Sequence, residues 1–362
     1  MFYRDRLRQA RELCSLRQSE LAERVGKSQG TIANIESGIS EPSKQLLADI
    51  AKSTGFPVAF FSTQVLVQFP TEEMMFRARA STTRREAVAG CRYAEVVYEL
   101  MVRILENYTE PLHVSVKQST DSPVLAAQKT RHSMGLSPDQ PISHLINAVE
   151  KSGVLVLALP LEFEKIDAFS ARVGEEPKRP VIALCRISMG DRLRWNVTHE
   201  LGHIVLHSGR TQLRAEDHRE ADQFSAEFLL PEVAMRQELT APVTLSSVAV
   251  LKPRWGVAMQ ALVRRAFDLS IISERQYKHL FEEIGARGWR MREPPNLDIP
   301  VEKPRALKQI AEIAYGHPIN FVRLAGESQL TVEMIKQIMG GYEEPLPESR
   351  RISRSGKVVQ FR

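Results

Sequence analysis

The chain has 362 residues, of which 43% are hydrophobic and 26% are charged. This length predicts two or three domains, and the composition is that of ordinary globular proteins. The longest apolar runs, such as VLVLALPL at 154–161, are too short to cross a bilayer, and the first residues carry no apolar signal-peptide core. We therefore expect a cytoplasmic protein with no membrane partner.

Net charge and cysteine content further limit the class of protein to which the chain can belong. The formal charge of +5 permits binding to nucleic acid but is equally typical of simple solubility. The three cysteines, Cys14, Cys91 and Cys185, lie far apart and form no CxxC pair. We therefore expect neither a disulfide scaffold nor a thiolate zinc site.

Short helical segments separated by turn residues fill residues 1–62. The stretch QSELAERVGKSQGTIANIES at 18–37 places Ala22 in one helix, Gly26 in the turn, and Ile32 and Ile35 in the next helix. Two helices that cross tightly near a right angle need this succession of small, flexible and apolar residues. The pattern predicts a helix-turn-helix, and the alternative is a small helical bundle that uses it for packing alone.

The second helix of this pair is the candidate DNA-recognition helix. It begins at Ser28, a good N-cap, so its first side chains are expected in the major groove. Gln29 can pair with an adenine edge, Asn34 can reach bases or phosphates, and Gln18 is placed for a phosphate. The candidate DNA-binding residues are Gln18, Lys27, Ser28, Gln29, Gly30, Thr31 and Asn34.

Residues 3–60 closely resemble the Cro/repressor-type helix-turn-helix of the XRE family. The resemblance is carried by RQSELAERVG, SQGTIANIESG and EPS. It implies an all-α, lambda-repressor-like bundle that binds double-stranded operator DNA as a homodimer, because such readers use paired half-sites. The arginine-rich stretch FRARASTTRR at 76–85 can touch the DNA backbone, but a solvated, helix-capping face is the simpler interpretation.

The rest of the chain mixes helices with a few strands. Helical periodicity at 72–150 is followed by strand candidates at 154–161 and 180–187, and then by helices. The predicted fold is therefore α+β and multidomain. The predicted units are a DNA-binding domain at 1–62, an α+β domain at 72–300, a helical C-terminal segment at 301–345 and a basic tail at 346–362.

The stretch WNVTHELGHIVLH at 195–207 contains the pattern His-Glu-x-x-His. His199 and His203 are one helical turn apart, so both imidazoles lie on one face and can reach a single metal ion. Glu200 can take a proton from a zinc-bound water and return it to the leaving amine. The pattern predicts a zinc site with Glu200 as the catalytic base.

The amphipathic segment DHREADQFSAEFLLP at 217–231 is expected to supply a third ligand. Glu220 is the first choice, and Asp217, His218 and Glu227 are its rivals. His207 extends the face of His199 and His203, but it lies two turns from His199, so we interpret it as a supporting or structural residue.

The stretches DRLRWNVTHELGHIVLH and READQFSAEFLLP resemble the ImmA/IrrE family of bacterial metallopeptidases over roughly residues 75–300. The resemblance implies a zincin-like α+β core that binds Zn²⁺ through His199, His203 and Glu220, with Glu200 as general base. Members typically cleave cytoplasmic regulators of the repressor type. One departure is Trp195-Asn196, where members more often show an aromatic residue followed by threonine.

In a zincin-like core, a peptide substrate lies along an edge strand, for which Val181–Arg186 is one candidate.

These observations predict a DNA-binding transcription regulator with a zinc-dependent endopeptidase domain that cleaves a specific repressor or antitoxin. Two alternatives stay open. The domain can be a non-proteolytic sensor of a metal or ligand, or it can be the metallopeptidase-like toxin of a toxin–antitoxin system.

Overall fold

The computed structural model describes residues 1–69, 84–108, 113–159, 167–174, 177–185, 189–210 and 213–342. The predicted basic tail and most of the arginine-rich stretch at 76–85 lie outside these residues. Sixteen α-helices and one three-stranded sheet make up the described part of the chain, which confirms the α+β multidomain fold. No helix in that part is long and apolar enough to span a membrane.

The N-terminal residues form a helical bundle. The apolar side chains of Leu7, Leu21, Ile32 and Ile50 meet in its centre and are fully buried. Its elements are α1 (Arg4–Leu13), α2 (Gln18–Arg24), α3 (Gln29–Ser37), α4 (Lys44–Thr54) and a 3₁₀ turn (Val58–Ser62). Ser28 Oγ accepts a hydrogen bond from the Thr31 amide and so caps α3, as its position in the sequence predicts.

A long helix, α5 (Arg84–Glu106), joins this bundle to the rest of the molecule. The apolar core that contains Leu7 continues without a break through Val97 of α5 to Val181 in the sheet. Arg6 pairs with Glu99 of α5 at 2.6 Å, so polar as well as apolar contacts hold the bundle against α5. The two parts of the chain therefore share one core.

The sheet consists of β1 (Leu155–Ala158), β2 (Ala168–Val173) and β3 (Arg179–Leu184) in the order β1-β3-β2. β1 runs parallel to β3, and β2 runs antiparallel to it. The expectation that Val181–Arg186 forms an exposed edge is wrong, because β3 is paired on both sides. Among the residues described here, β2 pairs only with β3, so β2 is an edge strand.

Helices cover both faces of the sheet. One face packs with α5 and with the C-terminal helices, and the other packs with the central helices. The central helices are α6 (Pro123–Ser133), α7 (Leu145–Lys151), α8 (Gly190–Leu206), α9 (Ala215–Leu229), α10 (Glu232–Glu238), α11 (Leu245–Trp255), α12 (Met259–Asp268) and α13 (Glu274–Ala286). The C-terminal helices are α14 (Ala306–Tyr315), α15 (Phe321–Ser328) and α16 (Val332–Gly340).

Candidate metal centre and DNA-binding surface

Helices α8 and α9 pack closely against each other, and Gly202 makes this possible. A Cβ atom at Gly202 would lie 3.2 Å from Ala221 Cα and 3.2 Å from the ring of Phe224. Because a glycine has no side chain, the two helix backbones can approach here. The His-Glu-x-x-His face of α8 therefore lies directly against the start of α9.

Three histidine nitrogens meet between these helices. His199 Nε2 lies 3.1 Å from His203 Nε2, and His218 Nδ1 lies 3.2 Å from the first and 3.3 Å from the second. Zinc–nitrogen bonds of about 2.0–2.1 Å in a tetrahedron separate the nitrogens by about 3.3–3.4 Å. The three imidazoles thus have the donor chemistry and the spacing of one face of a tetrahedral zinc site.

The structure brings His218, and not Glu220, to the two motif histidines. Glu220 Oε2 instead lies 2.8 Å from His207 Nε2. The other rivals are also engaged elsewhere, because Asp217 accepts a 2.7 Å hydrogen bond from the Arg214 amide and Glu227 pairs with buried Arg265. His218 is therefore the side chain of α9 that fits the third position.

His207 lies behind His203 and is almost completely buried. Its Nδ1 is 2.9 Å from His203 Nδ1. Burial lowers the pKa of His207, although the hydrogen bond with Glu220 acts in the opposite direction. His207 thus contacts a motif histidine on one side and a carboxylate on the other.

The carboxylate of Glu200 is buried beside β2. Ser170 Oγ donates a 2.6 Å hydrogen bond to Glu200 Oε2, and Glu200 is 5% exposed. Ser170 lies in the middle of the edge strand, opposite Ile182 of β3. The hydroxyl therefore holds the Glu200 carboxylate against the edge strand.

Sequence reasoning missed two residues of this site, Ser170 and Asp222. Asp222 Oδ1 lies 2.9 Å from His199 Nδ1, which leaves His199 Nε2 facing the other imidazoles. The four-residue spacing of His218 and Asp222 was a usable signal, because it puts both on one face of α9. Ser170 gave no such signal, since its contact depends on how the sheet packs on α8.

A pocket of about 280 Å³ opens one helical turn before His199. Trp195 and Trp289 line it, together with residues at the start of α12. The indole N–H of Trp195 donates to Asp222 Oδ1 at 3.4 Å, so one carboxylate contacts both the pocket wall and His199. The acidic residues of the pocket, Asp191 and Glu293, pair with buried Lys252. Aromatic rings and the arginines Arg192, Arg290 and Arg292 thus line a pocket beside the metal centre.

The predicted DNA-binding side chains lie around the start of α3. Gln29 and Asn34 are exposed, as are Lys27, Ser28 and Gly30, whereas Gln18 and Thr31 are half-buried. Gln29 Nε2 donates to Gln18 Oε1 at 3.1 Å, and Gln18 Nε2 donates to Glu36 Oε2 at 2.8 Å. Glu36 is itself held by a buried pair with Arg11. Because these contacts form a chain, Gln29 is ordered before any DNA is present.

The fold and these two sites define a helix-turn-helix regulator that carries a zincin-like metallopeptidase domain. Comparison with family models agrees. The helix-turn-helix model matches residues 7–61, and the model of the IrrE N-terminal-like domain matches residues 149–267. The chain thus carries an XRE-type helix-turn-helix domain and an IrrE-like domain of the metallopeptidase type. A search among curated proteins finds no match for it.

Proposed function

We propose that this regulator is a zinc-dependent endopeptidase that cleaves a specific regulatory protein of the repressor or antitoxin type. The observation that supports it best is the spacing of the His199, His203 and His218 nitrogens, 3.1–3.3 Å apart, together with the buried carboxylate of Glu200, the residue after His199. A site that only stored metal has no need of a carboxylate between its two helical ligands. The arrangement therefore favours hydrolysis.

In this proposal His199, His203 and His218 bind the zinc ion, and Glu200 transfers the proton. A bound zinc ion would polarise the peptide carbonyl and lower the pKa of a coordinated water. Glu200 takes the proton of the attacking water and delivers it to the leaving amine nitrogen. The hydrogen bond from the Ser170 hydroxyl keeps the carboxylate of Glu200 in the orientation for this proton transfer.

The substrate in this proposal binds along β2. A peptide that extends beside this edge strand gains main-chain hydrogen bonds and passes next to Ser170 and Glu200. One of its side chains can enter the pocket formed by Trp195 and Trp289. The lining combines these aromatic rings with Arg192, Arg290 and Arg292, so a side chain with an apolar body and a polar or acidic end fits it best.

The DNA-binding part of the proposal places the start of α3 in the major groove of an operator. Gln29 and Asn34 then read bases, while Gln18 and Lys27 contact the backbone. Binding as a homodimer follows from the paired half-sites that such readers recognise.

The substitution Glu200→Gln tests the enzymatic part. It removes the proton acceptor and leaves the histidines in place. We expect cells with the variant to lack new protein N-termini that the wild-type protein generates, while purified variant and wild type contain equal zinc. Glu216→Gln, an exposed change at the start of α9, is the matched control. Identical sets of new N-termini in all three strains would refute proteolysis.

The alternative function is non-proteolytic sensing of a metal or ligand, and the shared core between bundle and sheet favours it specifically. In that case metal removal changes operator affinity in wild type and Glu200→Gln alike. Measuring operator affinity with and without a chelator in both proteins separates the two functions.

A further inference from the structure

His207 and Glu220 form a hydrogen-bonded row behind His203. His203 Nδ1 lies 2.9 Å from His207 Nδ1, and His207 Nε2 lies 2.8 Å from Glu220 Oε2. The side chain of His207 is 1% exposed and that of Glu220 is 33% exposed. The row thus runs from the metal centre through a buried imidazole to a carboxylate near the surface.

Hydrogen-bonding chemistry allows a single direction along this row. Because His203 Nε2 faces the other two histidines as a ligand, the ring proton of His203 must be on Nδ1. This nitrogen then donates to His207 Nδ1, so His207 carries its own proton on Nε2. A carboxylate can only accept, and Glu220 therefore receives the last hydrogen bond.

A second metal ion is the competing explanation for this cluster. One ligand atom each from His207, Asp217 and Glu220 lie within 4.8 Å of one another. However, Asp217 Oδ2 accepts from the Arg214 amide at 2.7 Å, and Asp217 Oδ1 pairs with Arg210. Asp217 Oδ1 is also 3.9 Å from His207 Nε2. Since Asp217 is already neutralised and bound, a relay explains the contacts better than an ion.

We propose that Glu220 and His207 act as positioning residues that orient His203 for the metal, and that Glu220 is not itself a ligand. This inference rests on the proposed metal centre. It makes His207 the counterpart of Asp222, which supports His199 directly. Removal of such hydrogen-bonding partners typically weakens metal affinity by about 10–100-fold.

Metal affinity in the purified full chain tests the relay without any peptidase assay. Zinc is titrated in competition with a chromophoric chelator, and cobalt replaces zinc for absorption spectra. We expect Glu220→Ala to bind zinc about 10–100-fold more weakly while the cobalt bands stay in place, because the three ligands are unchanged. His218→Ala, which removes a ligand, should shift those bands. A Glu220→Ala spectrum that shifts like that of His218→Ala would overturn the proposal.

Two substitutions at His207 separate orientation from packing. His207→Leu fills the space but cannot form hydrogen bonds, whereas His207→Gln can accept from His203 and donate to Glu220. We expect His207→Gln to keep most of the zinc affinity that His207→Leu loses. Equal losses in both variants would contradict the relay, and so would wild-type protein that binds two zinc ions or none.

These outcomes are distinct from those of the proposed function. If Glu200→Gln leaves the cellular N-termini unchanged while Glu220→Ala weakens zinc binding, proteolysis fails and the relay stands. If the N-termini change but zinc affinity is insensitive to Glu220 and His207, only the relay fails.

Discussion

Gln9 of the DNA-binding bundle donates a 2.8 Å hydrogen bond to Glu95 of α5, and both side chains are buried. The other oxygen of the same carboxylate accepts from the Phe69 amide at 3.0 Å and pairs with Arg92. Burial raises the pKa of Glu95, so its charge depends on these partners. This contact and the ion pairs Arg6–Glu99 and Arg92–Glu12 fasten the bundle to α5 by polar groups.

Gln9→Ala should lower the stability of the whole chain and not only of the bundle. Loss of the donor leaves part of a buried carboxylate without a partner, which costs about 1–3 kcal/mol. Urea unfolding followed by circular dichroism measures the change. Gln45→Ala, an exposed glutamine in α4, is the control and should have little effect. Equal stabilities of the two variants would show that the contact contributes nothing.

Gln29→Ala should weaken binding to a specific operator by about 1–3 kcal/mol. Gln29 is exposed at the start of α3 and is ordered by Gln18, so its loss removes a base contact. Fluorescence anisotropy with a DNA site selected from random sequences by the wild-type protein measures it. Binding to unrelated DNA serves as the control and should stay the same. An unchanged preference for the selected site would rule out base reading by Gln29.

Gly202→Val should push α8 and α9 apart. Even a Cβ atom at this position would contact the α9 backbone and Phe224 at 3.2 Å. Overpacking of this kind costs about 1–3 kcal/mol, and the separation should also weaken zinc binding because His218 lies on α9. Thermal unfolding and zinc titration report the two effects. Gly326→Ala is the control, since nothing lies within 4 Å of a Cβ atom there.

The ionisation of Glu150 makes the stability of the folded chain depend on pH. Burial raises the pKa of Glu150 to about 7, although the amides of Arg305 and Ala306 donate to it. A raised pKa means that the folded state favours the protonated acid. The resulting stabilisation is fully present below pH 4.5, the ordinary value, and is lost as the pH rises through about 7.

The comparison of wild type with Glu150→Gln isolates this effect, because glutamine does not ionise. We expect the free energy of unfolding of wild type, relative to that of the variant, to fall between pH 4.5 and about pH 7 and to level off above that range. Urea titrations at several pH values measure this difference. A difference that stays constant across the range would contradict the assignment.

Local spacing made the two functional motifs predictable. The turn between α2 and α3 and the pair His199 and His203 depend on contacts within one or two helical turns, which the sequence displays directly. The choice between His218 and Glu220 was different. It depends on the rotation of α9 about its axis, which is fixed by the packing of Phe224 on Gly202 and so by residues far apart in sequence.

The order of the three strands in the sheet could not be predicted from the sequence either. Val181 and its neighbours form an apolar run that suits a central strand and a covered edge strand equally well. β2 directly precedes β3 in sequence and pairs with it, whereas β1 comes before both, so only the structure shows that β3 lies between them. The contact between Ser170 and Glu200 depends on this order, so it could only be found in the structure.

Because side chains alternate along β2, neighbouring residues of this strand contact different parts of the molecule. The ring of Phe169 packs edge-on against Phe69, 5.9 Å away, in the segment that follows the DNA-binding bundle. The next residue, Ser170, faces the opposite side and holds Glu200. Successive side chains of a strand point to opposite faces of the sheet. Two neighbouring residues of β2 therefore connect the segment behind the DNA-binding bundle, through Phe169, with the buried carboxylate of Glu200, through Ser170.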